Sequence, residues 1–418
     1  MNKLWLSVLW LALINQSTAI ADQPLVQSGD TIAVIGDSIT EQKKYSVLIE
    51  DYLLMCQPAD KLRIAQFGWG GETAAGFQKR MKNDTLRFKP TLITTCFGMN
   101  DGGYAPLSKE RADLYRTSQQ QIVDKAKKAG VRAIVVGSPG CVDTDKFKNP
   151  KTSAIYNKTL GELRDIAREV AEKNGVTFAD VHQPMIDAMA KAKAKYGSDY
   201  HVGGNDGVHP DANGHLVMAY AFLKALGCDG EIGKINVDLG SNKATASQGH
   251  KVLSSADGTV EIESSRYPFC FFGDPKSSSA TAGIIEFMPF NEELNRFTLV
   301  VENAPAEKCK VTWGTTSKEF SKEQLAKGIN LAAEFIDNPF SEPFRKVEAA
   351  VREQQNYETP LVKSLVTKLP DFEKLVPEEK DAIEHIADAA LQHDQKLFSA
   401  AASAVTPVKH KIVIEPVN

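Results

Sequence analysis

The chain has no surplus of positive charge: 49 Lys and Arg stand against 53 Asp and Glu, a formal net charge of −4. A protein without a basic excess has little with which to neutralise phosphates, so nucleic acid is not an expected partner. Cysteine is sparse and scattered, with six residues and no Cys-x-x-Cys, which removes zinc-ligand spacing. Neither G-x-G-x-x-G nor G-x-x-x-x-G-K-[ST] occurs, so no phosphate-cradling loop is predicted. Internal repeats and low-complexity tracts are missing. Past the N-terminus no apolar run approaches the roughly 20 residues that span a bilayer, so stable membrane insertion is not expected. What remains is ordinary globular text of 418 residues, 42% hydrophobic and 24% charged, enough for two or three domains.

The first residues read as an export signal. Lys3 supplies a positive start, residues 4–14 are apolar apart from Ser7, and Ala19-Ile20-Ala21 is a small-x-small cleavage site. Residues 1–21 are therefore expected to be removed, leaving a protein that is periplasmic or secreted. No Cys lies near that point to carry a lipid. Disulfides would be permitted there, but six cysteines allow 15 pairings and the sequence does not choose among them.

From about residue 22 to 228, short apolar runs alternate with amphipathic stretches. The runs at 31–35, 62–67, 91–96, 132–136 and 176–179 are rich in β-branched residues and nearly continuous in apolarity. That texture predicts parallel strands covered on both faces, in a three-layer α/β sheet. Helices are predicted over 45–54, 73–82, 109–129, 153–173, 185–196 and 211–226. Residues 229–320 change character, with short strand-like runs (234–239, 259–263, 283–289, 297–302 and 310–313) between Ser, Gly, Asn and Asp clusters, and predict a β-rich module. Tyr267-Pro268-Phe269-Cys270-Phe271-Phe272 within it reads as core rather than contact surface. Residues 321–418 open on a capping box, Ser321-Lys322-Glu323-Gln324, and continue as helical text broken at Pro339, Pro343, Pro360, Pro370 and Pro377. Ile383, Ile386, Ala387, Ala390, Leu391, Leu397 and Phe398 fall on one helical stripe. A last strand at 411–415 is placed to pair back onto the β module.

Four segments carry chemistry. Gly36-Asp37-Ser38 follows the first strand and opens a helix, at the carboxyl edge where α/β sheets bind ligands. Trp69-Gly70-Gly71-Glu72-Thr73 follows the second strand, and its glycines can turn a bare N–H toward a developing oxyanion. Gly98-Met99-Asn100-Asp101 follows the third, with a side-chain amide able to donate to the same oxygen. Asp206-Gly207-Val208-His209 precedes the last helix; a carboxylate three residues before an imidazole can reach its ring nitrogen and fix the tautomer. Taken singly, each also reads as turn or cap chemistry. Their common position at strand ends of one domain is what separates them from that reading.

These four blocks together resemble the SGNH/GDSL hydrolases, over about residues 30–228. The resemblance implies a flavodoxin-like sheet of five parallel strands and a serine esterase needing no metal or organic cofactor. It implies Ser38 as nucleophile, His209 as general base and then acid, and Asp206 as its orienting carboxylate. Ser38 N–H, Gly71 N–H and Asn100 Nδ2 would form the oxyanion hole, with Gly71 taken rather than Gly70 because it directly precedes Glu72-Thr73. Activity should then fall as acid protonates the imidazole. Trp69, Tyr104, Tyr200 and His201 are expected to border the site, where aromatic faces and polar tips suit sugar rings. The substrate expected is therefore an acyl ester, small or polysaccharide-borne, with acetyl on carbohydrate favoured. A lipase, lysophospholipase or thioesterase of the same family, or a silent domain beside a glycan-binding module, are the alternatives.

Overall fold

The β-branched runs form one parallel sheet, as their unbroken apolarity requires. In the computed structural model, which describes residues 25–59 and 61–417, the strands are β1 (Thr31–Gly36), β2 (Arg63–Gly68), β3 (Leu92–Cys96), β4 (Ala133–Gly137) and β5 (Thr177–Ala179), in the order β2-β1-β3-β4-β5. Every residue of β3 and β4 is buried, because helices cover both faces. The helices are α1 (Ser38–Glu41), α2 (Tyr45–Asp51), α3 (Ala74–Arg80), α4 (Lys109–Lys128), α5 (Pro150–Asn174), α6 (His182–Tyr196) and α7 (Ala212–Ala225). Local chemistry fixes their ends. Asn149 caps α5 through a bond from Thr152 N (3.0 Å) with Pro150 in the first turn, and left-handed Gly175 ends it. The expected export segment lies outside the described residues. Among these no helix is long and apolar enough to cross a membrane.

Two further sheets follow. One contains β6 (Glu231–Asp238), β7 (Lys243–Ala246), β10 (Arg296–Glu302) and β13 (Ile329–Asn330), in the order β13-β10-β6-β7. The other contains β8 (His250–Ala256), β9 (Thr259–Ser264), β11 (Lys308–Trp313), β12 (Thr316–Ser321) and β14 (Val408–Pro416), in the order β12-β11-β14-β9-β8. The C-terminal strand β14 thus lies between β9 and β11, far from its sequence neighbours. Phe297, Trp313, His410 and Phe340 meet between the sheets. Their polar atoms are satisfied in one chain. Trp313 Nε1 donates to His410 Nδ1 (3.1 Å), so His410 Nε2 carries a proton and donates to Ser264 Oγ (2.9 Å), and Ser264 then faces His250 Nδ1 (2.8 Å). Burial pushes the His410 imidazole down to about 3, so it is neutral.

Residues 283–289 depart from the strand expected there. They form single helical turns, because Phe287 is drawn beneath α6 against Tyr196 and Tyr200 while Glu286 pairs with Lys195 (2.5 Å). The C-terminal helices end at two of the prolines expected to break them: the Ser341–Pro360 helix closes at Pro360, and the Leu369–Leu375 helix stops just before Pro377. Pro343 and Pro370 instead sit in first turns, where a missing N–H costs nothing. Ile386 of the expected apolar stripe is 56% exposed, whereas Ile383, Ala387 and Phe398 are buried. All six cysteines are free and buried, so no disulfide links them. Tyr267, Phe269, Cys270 and Phe271 are core.

The Ser341–Pro360 helix performs a task for the first sheet. Strand β2 is its edge, and an open edge invites pairing with another chain. Gln354 Nε2 donates to Ile64 O (2.9 Å), and Gln66 N donates to Glu358 Oε2 (2.8 Å), so side chains occupy the free ladder positions. This brings Glu358 next to Glu50, both fully buried. Burial, working against the hydrogen bond from Gln355, pushes the Glu50 carboxyl up to about 8. Burial, then Asp394 and Glu50, push Glu358 well above the usual range. A carboxyl raised on folding holds a proton that the unfolded chain releases. These groups therefore remove stability as pH rises from the ordinary carboxylate range to about 8. The melting temperature should fall between about pH 5 and about pH 9, and Glu50→Gln should flatten that slope. Scanning calorimetry giving the same slope for both proteins would refute the assignment.

Candidate active site

The register of the sheet gathers the site. Gly36 of β1 pairs with Gly68 of β2 on one side and Cys96 of β3 on the other, so the loops leaving three adjacent strands start level. Ser38, Gly71 and Asn100 lie two, three and four residues past those points. The close approach restricts residue choice: a Cβ on Gly68 would collide with the backbone at Glu41. Gly71 has φ +72°, a left-handed conformation that glycine adopts without strain.

Ser38 is the first residue of α1. The Asp37 side chain accepts from Ile39 N (2.9 Å), capping the helix, while Ser38 N and Gly71 N donate to no protein acceptor among the described residues. Two orphan N–H groups thus lie at the site. Burial raises the Asp37 carboxyl to about 7 despite the Ile39 bond.

Ser38 Oγ is 2.8 Å from His209 Nε2, and His209 Nδ1 is 2.7 Å from Asp206 Oδ2. The other oxygen, Asp206 Oδ1, accepts from Val208 N (2.9 Å) and His209 N (2.8 Å), fixing the carboxylate against the ring it serves. Partial burial raises the Asp206 carboxyl, but the His209 and Val208 amides and the His209 ring outweigh it and leave a net lowering. An ionised carboxylate only accepts, so Nδ1 carries the proton and Nε2 is free to accept from the serine hydroxyl. That arrangement can draw a proton from Ser38 and return it.

Asn100 is aligned from both ends. Its Nδ2 donates to Glu72 O (2.9 Å), leaving the second N–H of the amide, and its Oδ1 accepts from Tyr104 OH (3.1 Å). Tyr104 is in turn stacked on Tyr156 and tilted against Phe147. Tyr104 therefore positions the amide. Trp69 lies beside the turn with Arg80 and Lys363 over its ring at 4.7 and 4.8 Å. Asp101 Oδ1 accepts from Ala74 N (3.0 Å), tying this loop to the start of α3.

The open depression above the serine has a volume of about 290 Å³ and is lined by Ser38, Glu41, Gln42, Asp206 and His209. Tyr200 and His201 do not border it. Tyr200 is buried with its hydroxyl on Gly283 O (2.5 Å), and His201 Nε2 meets Ser278 Oγ (3.1 Å) with Nδ1 3.7 Å from Asp211. Both join α7's approach loop to residues 270–290, a packing role set by segments remote in sequence. Glu41 and Gln42 were missed as lining residues. Glu41 stands one helical turn beyond Ser38, which is the signal that could have found it. A larger cleft of about 620 Å³ lies between Gln57-Pro58 and Ser247–Gly249. Its lining contains no nucleophile with a base beside it.

Residues 34–217 match the GDSL-like lipase/acylhydrolase family. An acetylxylan esterase of Geobacillus stearothermophilus is 23% identical over 223 residues, 48% of this chain and 96% of that protein. The structure of a gut microbial diltiazem-metabolizing enzyme superposes with a TM-score of 0.72 and 24% identity, covering 94% of this chain and 98% of its own. The shared fold thus extends through the β sheets and the C-terminal helices as well. With the Gly-Asp-Ser block, the glycine turn, the Asn loop and the Asp-x-x-His pair on one sheet edge, residues 34–217 are a GDSL-like lipase/acylhydrolase domain of the SGNH/GDSL type, which makes the protein a carboxylic ester hydrolase.

Proposed function

We propose that the protein removes short acyl groups, acetyl foremost, from carbohydrate esters outside the cytoplasm. The observation that carries this is the continuous Ser38–His209–Asp206 hydrogen-bond chain opening onto a shallow polar depression. In the first step His209 Nε2 takes the Ser38 proton as Oγ attacks the ester carbonyl. The carbonyl oxygen becomes an oxyanion between Ser38 N–H, Gly71 N–H and Asn100 Nδ2. Collapse of the tetrahedral intermediate breaks the ester C–O bond, and imidazolium gives its proton to the leaving alcohol. Water then attacks the acyl-serine by the same route, with His209 as base, and the acid departs as Ser38 regains its proton.

Acyl length follows from the depression. An octanoyl chain has six more methylenes than acetyl, worth roughly 5 kcal/mol if fully buried at about 0.8 each. A depression walled by Ser38, Glu41, Gln42, Asp206 and His209 has no apolar side chain in its lining and is too open to bury those methylenes, so most of that gain is out of reach. The likeness to an acetylxylan esterase supports acetyl on carbohydrate, and the charge–apolar–small order of residues 1–21 supports export. The test is an acyl-length series of nitrophenyl esters followed by acetate release from acetylated polysaccharides. Acetyl should exceed octanoyl in kcat/KM by at least about tenfold. A preference for octanoyl would instead make the protein a lipase or lysophospholipase.

A further inference from the structure

The exposed turn Trp69-Gly70-Gly71 has few means of holding its own shape. Two glycines offer no side chain, yet Gly71 N–H is one of the three proposed oxyanion donors, the assignment on which this inference rests. The anchors of the turn are the Trp69 N to Gly36 O bond (3.2 Å) at its start, the Glu72 N to Trp69 O bond (3.1 Å), a bond from Gly70 N to Glu41 Oε2, and the cations over the Trp69 ring. Lys363 reaches the last two. Its Nζ is 2.6 Å from Glu41 Oε1, the carboxylate whose other oxygen holds Gly70, and 4.8 Å from the centre of the Trp69 ring. Glu41 also ends the short helix that starts at Ser38.

Lys363 itself comes from outside the α/β domain, just past the Ser341–Pro360 helix that caps β2. The same segment fixes its approach. Thr359 Oγ1 accepts from Gln66 Nε2 (2.8 Å) and Lys43 Nζ (3.4 Å), and Lys43 in turn donates to Glu41 O (2.8 Å). From this geometry we infer that Lys363 is a positioning residue for ester hydrolysis, through which the C-terminal region holds the nucleophile helix and the oxyanion turn in one arrangement. Without its ammonium, Glu41 loses its counter-ion, Gly70 its fixed acceptor and Trp69 one of its two cations. Gly71 N–H then wanders from the point where charge develops. Because that charge exists only in the transition state, the loss falls on kcat and leaves KM alone.

The experiment uses the full chain with nitrophenyl acetate. Losing an oxyanion donor outright costs about 10²–10³ in kcat, so displacing one in Lys363→Met should cost about tenfold, with KM within about twofold of wild type. Lys363→Arg, which keeps the charge, should recover at least about half of kcat. Glu41→Gln should match Lys363→Met, and the double variant should be no slower than either, since both act on one turn. Lys374→Met, at an exposed lysine elsewhere in the C-terminal region, should change nothing. A kcat within twofold of wild type in Lys363→Met, a loss confined to KM, or an arginine variant no better than methionine would overturn the inference. If Lys363→Met does not fold, Glu41→Gln and Lys363→Arg decide by the same criteria. Ser38→Ala run beside them separates the two levels: activity surviving there removes the serine mechanism, while a dead Ser38→Ala with a normal Lys363→Met removes this inference alone.

Discussion

Ser38→Ala should lower turnover of a short-chain nitrophenyl ester by about 10⁶-fold in kcat, the scale set when a nucleophile that works as a unit with its base is deleted. The size follows from the geometry. Ser38 Oγ is the hydroxyl held at 2.8 Å from His209 Nε2, and no acyl-enzyme forms without it. Residual rate would come from the donors and from binding alone. The fold should not notice the change, because the hydroxyl bonds only the imidazole and α1 is capped by Asp37 instead. His209→Ala should cost about as much, and the double variant no more. Purified Ser38→Ala turning over within tenfold of wild type would end the serine mechanism.

Asp206→Asn should be the next most damaging, at about 10⁴-fold, by a different route. The carboxylate divides its work: Oδ1 accepts from the Val208 and His209 amides, and Oδ2 faces His209 Nδ1 at 2.7 Å. Asparagine keeps an oxygen for the two amides, so the loop survives. It then presents an NH₂ to Nδ1, which must accept, and the proton moves to Nε2. That nitrogen can no longer take the Ser38 proton. Asp206→Ala should lose activity similarly but also melt earlier, because two amide donors lose their acceptor at about 1 kcal/mol each. Equal melting temperatures for the Asn and Ala variants would refute this division of labour. The lowered Asp206 carboxyl also keeps its charge well into acid.

The sheet was legible because its signal is local. Five apolar runs of β-branched residues, buried on both faces, admit almost nothing but covered parallel strands, and they appear within a residue or two of where the pattern puts them. The proposed site groups were legible in part for a related reason: each follows its own strand end, and the observed strand order then sets the loops carrying Ser38, Gly71 and Asn100 side by side. Tyr104 is expected from the sequence to border the site, and the tertiary structure adds what no local pattern shows, a 3.1 Å bond from its hydroxyl to Asn100 Oδ1.

Composition and pattern by themselves pointed to the α/β sheet and to strand-rich text after it, and the family resemblance of four short blocks named the residues proposed for the reaction. Tertiary structure alone decided the rest. It turned residues 283–289 into helical turns under α6, sent Tyr200 and His201 into packing, left Ile386 facing water and put strand β14 between β9 and β11. It also delivered Lys363 to Glu41 across 322 positions of chain. The physical reason is common to all of these. Secondary structure and strand-end chemistry are written in residues a few places apart, whereas packing against a distant segment depends on which surfaces folding brings together, and no short pattern encodes that.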